Sequence, residues 1–196
     1  MPPSPRVALG WKAHSGWAAL VVVTERDGGL AVVDRRRVEL VDEAWAKAPF
    51  HAAESLEPVK ARQLVARGIE SAGRVTAREV CAVVERERAR GNDVVASAVL
   101  VGTPMPEWTV DEIRSVHFRM HKAEGALFKN ALLDASRKAR VSAVAVPEKE
   151  LARRAADALG ARAKRVAALG KEIGPPWTAD QKDAALAAWV ALRGEG

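Results

Sequence analysis

Residues 7–23 read VALGWKAHSGWAALVVV, a strand, a tight turn at Ser15-Gly16 and a second strand. Residues 17–23 are apolar on both faces, which places that strand inside a sheet, because only a strand covered on both sides is apolar throughout. Asp27-Gly28-Gly29 is a hairpin signal leading into residues 30–41, where the run Asp34-Arg35-Arg36-Arg37 marks an edge position. The chain is thus expected to open as a three-strand antiparallel meander. Along its first strand Ala8, Gly10 and Lys12 share one face, since alternate side chains point the same way. The small residues on that face would admit close approach by the alanine-rich last helix, TADQKDAALAAWVAL.

Outward from the meander the signals alternate. Pro49-Phe50-His51 lies in a linker, followed by a helical stretch over 58–90. A break near Gly73 is expected there, because Thr76 and Glu79 are spaced as a capping box. Gly91-Asn92 ends it. Residues 94–101, VVASAVLV, read as a buried strand. A loop at 104–106, a capped helix over 109–140 and a short strand over 141–146 come next. Helical pieces ending near Gly160 and Gly170 precede the last helix, where Thr178 and Gln181 form another capping box.

At 196 residues, with 48% hydrophobic and 29% charged residues, the composition is that of a globular chain and predicts one domain over 1–196. No apolar run approaches the roughly 20 residues of a membrane-spanning helix, so no membrane partner is expected. The start MPPSPRVALG lacks a signal-peptide pattern, and a cytoplasmic protein is the expectation. One cysteine excludes an intramolecular disulfide. Cys81, among Val80, Val83 and Val84, is expected to be a buried structural thiol.

The net charge of +6 is unevenly placed: residues 137–171 hold ten Lys or Arg against three acids, whereas residues 1–136 hold nineteen against eighteen. A local basic surface attracts phosphate backbones, although an alanine-rich helix also needs charges on its solvated face. Arg153, Arg154, Arg162, Lys164 and Arg165 are the candidate nucleic-acid contacts. No aromatic residue is interleaved with them, which argues against stacking on unpaired bases and leaves backbone contacts to a duplex. Of the six tryptophans, Trp11, Trp17, Trp108, Trp177 and Trp189 fall in or beside expected core elements.

Three antiparallel strands, helix, strand, helix, strand and helices is the succession of the ribonuclease H-like fold. GWKAHSGWAALVVV resembles the opening of the RuvC-type Holliday-junction resolvases, and ADQKDAALAAW resembles their closing helix. The resemblance implies a carboxylate cluster holding two divalent metal ions that activate water and stabilise the leaving oxygen. Here its first position falls on Lys12 and its second on or beside Gly102, with only Asp180 and Asp183 matching the final helix. Two acids do not neutralise two magnesium ions and a phosphate. A Lys12–Asp183 salt bridge in place of the metal cluster is one reading, with Asp180 complementing the helix macrodipole.

A second constellation lies in the helix over 109–140. Ile113, Val116, Met120, Leu127, Phe128 and Ala131 form an apolar stripe, with His117 and Glu124 inside it and His121 at its edge. A buried hydrogen-bonded network that takes in His51 or His14, an acid/base pocket and a bound transition metal all remain open for that face. The segments PFHAAESLEP, HKAEGALFKNALL and PPWTADQK also resemble an uncharacterised bacterial protein family. That resemblance groups His51, His117, His121, Glu124, Trp177, Asp180 and Gln181 as one candidate site.

The sequence therefore predicts an α/β, ribonuclease H-like fold with a mixed sheet of about five strands flanked by helices. It predicts a catalytically degenerate, resolvase-like domain that binds nucleic acid or another partner, with no cofactor and no resident metal. The alternatives are an enzyme of unknown substrate using His117, His121 and Glu124 with Asp183 nearby, and a metal-dependent nuclease with a rearranged cluster.

Overall fold

The computed structural model describes residues 3–26 and 28–194. Strands β1 (Arg6–His14), β2 (Trp17–Arg26) and β3 (Gly29–Glu39) form the antiparallel meander. Gly28 has φ +72, the left-handed conformation that suits glycine in a hairpin turn, while Asp27 of the expected hairpin lies outside the described residues. Strand β4 (Asp93–Val101) pairs parallel with β1, and β5 (Ser142–Pro147) pairs parallel with β4, giving the order β3-β2-β1-β4-β5. β3 is an edge, as its run of arginines predicts. This is the ribonuclease H-like arrangement.

The helices are α1 (Pro49–Ala52), α2 (Pro58–Ala89), α3 (Val110–Arg114), α4 (His117–Lys138), α5 (Leu151–Leu159), α6 (Arg165–Ala168), α7 (Gly170–Ile173) and α8 (Ala179–Leu192). Alternation along β1 divides the core in two. Val7, Leu9 and Trp11 pack with residues of α2 and α4 on one face of the sheet. Ala8 and its neighbours pack with α5 and α8 on the other. A third cluster, with Phe50, Val65, Ile113 and Met120, joins α1, α2, α3 and α4. Within the first layer Trp11 Nε1 donates to Ser97 Oγ at 3.0 Å, Ser97 meets Ser136 at 2.7 Å, and Ser136 donates to the Leu132 carbonyl. The chain leaves no hydroxyl unpaired across β1, β4 and α4, as burial of polar groups requires.

Gly10 confirms the close approach expected of the last helix. A Cβ at Gly10 would stand 1.9 Å from the Ala184 carbonyl oxygen and 3.0 Å from Ala188 Cβ. No side chain fits, so the α8 backbone rests on the strand.

Several sequence expectations need correction. The 58–90 helix does not break at Gly73: α2 runs unbroken, with Thr76 buried on its packed face, because burial of Ala72, Val75, Val80 and Val83 outweighs the local capping signal. The expected 109–140 helix is instead two. Thr109 caps α3 in a full capping box with Glu112, and the extended Val116 (φ -139, ψ 114) starts α4 afresh. That turn rotates the stripe, so Val116 is exposed. Cys81 is exposed rather than buried, its thiol donating to Glu85 Oε1 at 3.3 Å. Among the described residues no helix is long and apolar enough to cross a membrane.

Candidate functional site

Strands β1, β4 and β5 run parallel, so their carboxyl ends open at one end of the sheet, where α/β folds commonly bind ligands. Lys12 lies near that end of β1, Gly102 follows β4, and Glu148 follows β5. The N-terminal turns of α8 bring Asp180 and Asp183 to the same place. Their position is fixed from β3: the Arg35 guanidinium donates to the carbonyls of Gly174 (2.9 Å), Ile173 (2.8 Å) and Pro176 in the loop before α8. The Thr178–Gln181 capping box then starts the helix.

Lys12 is the centre of this group. Its side chain is only 15% exposed, and its Nζ lies 2.6 Å from Glu148 Oε2 and 3.8 Å from Asp183 Oδ2. Lys129, from α4, reaches the other Glu148 oxygen at 2.9 Å. A Cβ at Gly102 would stand 3.6 Å from Lys129 Nζ, so a second ammonium lies where an acid after β4 would point. On the Lys12 side of β1, two residues on, His14 Nε2 meets Asp180 Oδ2 at 2.9 Å. The His14 ring stacks on Trp17 at 4.3 Å, and the Arg37 guanidinium covers Trp17 at 3.8 Å. The expected Lys12–Asp183 pair exists, but as the longer contact. The sequence motifs do not point to Glu148 or Lys129, and His14, a candidate partner for the Glu124 network, meets Asp180 here instead. Glu148 carries one legible signal, an acid directly after a strand, β5, that runs parallel to β4 and β1.

Charge in this network is uneven. Partial burial pushes the Glu148 carboxyl up, but hydrogen bonds from Lys12 and Lys129 outweigh it and hold the group below its ordinary value. Burial dominates at Asp183 and pushes it up, with Asp180 and Glu148 adding repulsion against the pull of Lys12. For Glu148 the folded value lies below the unfolded one, so its stabilisation is present above the ordinary Glu range and is lost as pH falls through the lowered value. Asp183 has the opposite sign: its contribution is present at low pH and is lost as pH rises through the raised value. In Lys12→Met, carboxyl-carbon NMR titration should show Glu148 titrating at higher pH and Asp183 higher still. An unmoved Glu148 would mean that the pair does not form in solution.

The second constellation is arranged differently from its sequence reading. Glu124 is buried, but His117 and His121 are exposed. Glu124 Oε1 accepts from the backbone N–H groups of Phe50 and His51, both at 3.1 Å, and Oε2 accepts from His51 Nδ1 at 2.7 Å. It thereby satisfies free N–H groups at the start of α1, whose own N-cap, Ala48, offers no side chain for the purpose. With both oxygens occupied, Glu124 is not a free general base. His51 joins His117 and His121 in one cluster. Asp183 does not, because α8 lies across the sheet from α4. Trp177 and Gln181 are also elsewhere: Trp177 Nε1 donates to the Val166 carbonyl at 2.8 Å and Gln181 caps α8. The single grouping of seven residues is thus three separate places.

Basic residues of the 137–171 segment divide as well. Arg153 pairs with Asp157 and Glu150, and Arg154 with Glu150. Arg162 Nε donates to the Leu159 carbonyl. Lys164 and Arg165 are exposed and have no ion pair among the described residues.

The fold is similar to that of RuvC from Thermus thermophilus. A structure of that protein in complex with Holliday junction substrate matches with TM-score 0.54 and 16% identity, over 96% of this chain and 94% of that one. Another T. thermophilus RuvC structure matches with TM-score 0.52 and 17% identity, over 96% and 95%. At such identity the likeness shows the fold. No family model matches the sequence, and no curated protein does.

Proposed function

We propose that this chain is a catalytically silent ribonuclease H-like domain that binds nucleic acid through the phosphate backbone. The observation that carries the silent half is Lys12. An ammonium held 2.6 Å from Glu148 and 3.8 Å from Asp183 occupies the space where a divalent ion bridging those acids would sit. A second ammonium, Lys129, engages the remaining Glu148 oxygen. Two fixed cations among three carboxylates leave little net negative charge to hold Mg²⁺, which binds through carboxylates and substrate phosphate together.

The binding half rests on the fold likeness to a protein solved with a DNA junction and on the net charge of +6. Lys164 and Arg165 are its leading contacts, because their charges are not engaged by neighbouring acids among the described residues. Arg162 stands beside them, while Arg153 and Arg154 contribute less with their charges already paired. The test is duplex and junction DNA binding across a salt series. Affinity should fall steeply with salt, and Lys164→Glu with Arg165→Glu should weaken binding and lower the slope of log K against log salt by about 1 per lost phosphate contact. Absence of binding at low salt removes the nucleic-acid reading. Mg²⁺- or Mn²⁺-dependent cleavage that Asp183→Asn abolishes removes the silent one.

A further inference from the structure

The imidazoles of His51, His117 and His121 converge at a place remote from the Lys12 network. Each offers one nitrogen, and the three nitrogens lie within 4.8 Å of one another. His117 and His121 are one turn apart on α4, with their Nε2 atoms 3.0 Å from each other. His51 arrives from α1, its ring centroid 4.6 Å from that of His121 and 5.0 Å from that of His117. Three imidazoles on two different elements are an unusual concentration of nitrogen donors. All four histidines of the chain are accounted for by this cluster and the His14–Asp180 contact.

What distinguishes the cluster from three adjacent surface residues is the group behind it. Glu124 is 4% exposed and aims one oxygen at His51 Nδ1. A carboxylate can only accept, so Nδ1 carries a proton, and in the neutral ring Nε2 then carries the lone pair. This is the carboxylate–histidine arrangement that fixes the tautomer of a metal ligand and raises its basicity. The other Glu124 oxygen holds the Phe50 and His51 backbone N–H groups, so the same carboxylate anchors the ligand's ring and the helix carrying it. Nearby cations are held off the cluster. Arg119 lies over the Trp108 ring at 4.6 Å and donates to the Glu112 carbonyl, and Lys122 lies 5.3 Å from the Phe118 ring.

We propose that His51, His117 and His121 bind one Zn²⁺, with Glu124 as the carboxylate that orients His51. Zinc takes nitrogen ligands at about 2.0–2.1 Å in a tetrahedron, which sets ligand nitrogens about 3.3 Å apart. The His117–His121 separation is already near that value, and rotation of exposed rings closes the rest. Three protein ligands leave a fourth position, and because His117 and His121 are exposed it faces solvent and takes water. Neutral imidazoles suit zinc rather than magnesium or calcium, which prefer oxygen.

The experiment is titration of chelator-stripped full-length protein with Zn²⁺ by calorimetry, and with Co²⁺ by visible absorption. One ion per chain, the visible bands of tetrahedral Co²⁺ and a zinc-dependent rise in Tm are expected. His117→Ala and His121→Ala are exposed changes that leave the fold intact, and each should weaken zinc at least tenfold. Glu124→Gln should weaken it about 10–100-fold. Because Glu124 also anchors α1, the exposed variants keep the test valid if Glu124→Gln unfolds. Failure to bind one equivalent, or undiminished binding in His121→Ala, overturns the proposal and leaves a hydrogen-bonded imidazole cluster without an ion.

Discussion

Gly10→Ala should lower the stability of this protein by about 3 kcal/mol or more, at the upper end of what an overpacked core site costs. Gly10 is paired on both sides, with Val21 of β2 and Ala98 of β4, so its strand cannot retreat. The atom an added methyl would meet is backbone: the Ala184 carbonyl oxygen at 1.9 Å and its carbon at 2.7 Å. A flexible side chain could rotate away, but a carbonyl inside a helix cannot move without its helix. α8 must therefore lift as a body, and Asp180 and Asp183 lift with it. For a chain of this size the thermal midpoint should fall by about 6–12 °C. Gly73→Ala is the control. It lies inside α2 with nothing within 4 Å of an added Cβ, and it should stabilise by about 0.5–1 kcal/mol through helix propensity. Thermal unfolding decides the matter, and a Gly10→Ala midpoint matching wild type would show that α8 does not rest on β1.

Lys12→Asp should destabilise the chain at neutral pH by about 2 kcal/mol, and millimolar Mg²⁺ or Mn²⁺ should restore most of the loss. Breaking a fully buried ion pair costs about 3–5 kcal/mol, and the partial exposure of Glu148 and Asp183 reduces that figure. The change removes the ammonium and adds a carboxylate beside Glu148, Asp183 and Asp180, so the repulsion already raising Asp183 grows. A divalent ion then has oxygen ligands and no competing cation at the centre, and binding to the folded state alone stabilises it by mass action. Destabilisation should shrink as pH falls through the carboxylate range, since protonation removes the repulsion. Denaturant unfolding with and without metal measures both parts. A wild-type protein equally stabilised by Mn²⁺ would mean that its own acids hold the ion despite Lys12, and the silent reading would fail.

Much of the architecture was legible because local chemistry repeats it. Apolar alternation over 7–23 and the turn residues between strands mark the meander, and the same periodicity marks β4. Gly10 and Ala8 facing an alanine-rich helix is a packing statement readable from side-chain size alone. Where local signals competed with burial, burial won. Thr76 and Glu79 spell a helix start, yet α2 passes through them because its apolar face is covered along its length. The turn at Ser115 and Val116 has no strong breaker, so the sequence does not show that His117 opens a new helix, where His117 and His121 are exposed at its first turns.

By itself, then, the sequence determined the order of the five strands and of the long helices, though not α1 or the division of α3 from α4, together with the close seat of the last helix on the first strand and the presence of a lysine where the resolvase resemblance would place an acid. Only the tertiary structure decided which charges meet. Lys12 finds Glu148 136 residues away, and His51 finds Glu124 73 residues away. Periodicity constrains which face a side chain occupies, because that is a property of the local backbone. Which partner stands opposite depends on how separate elements dock, and docking is set by the summed packing of two core layers rather than by any short motif.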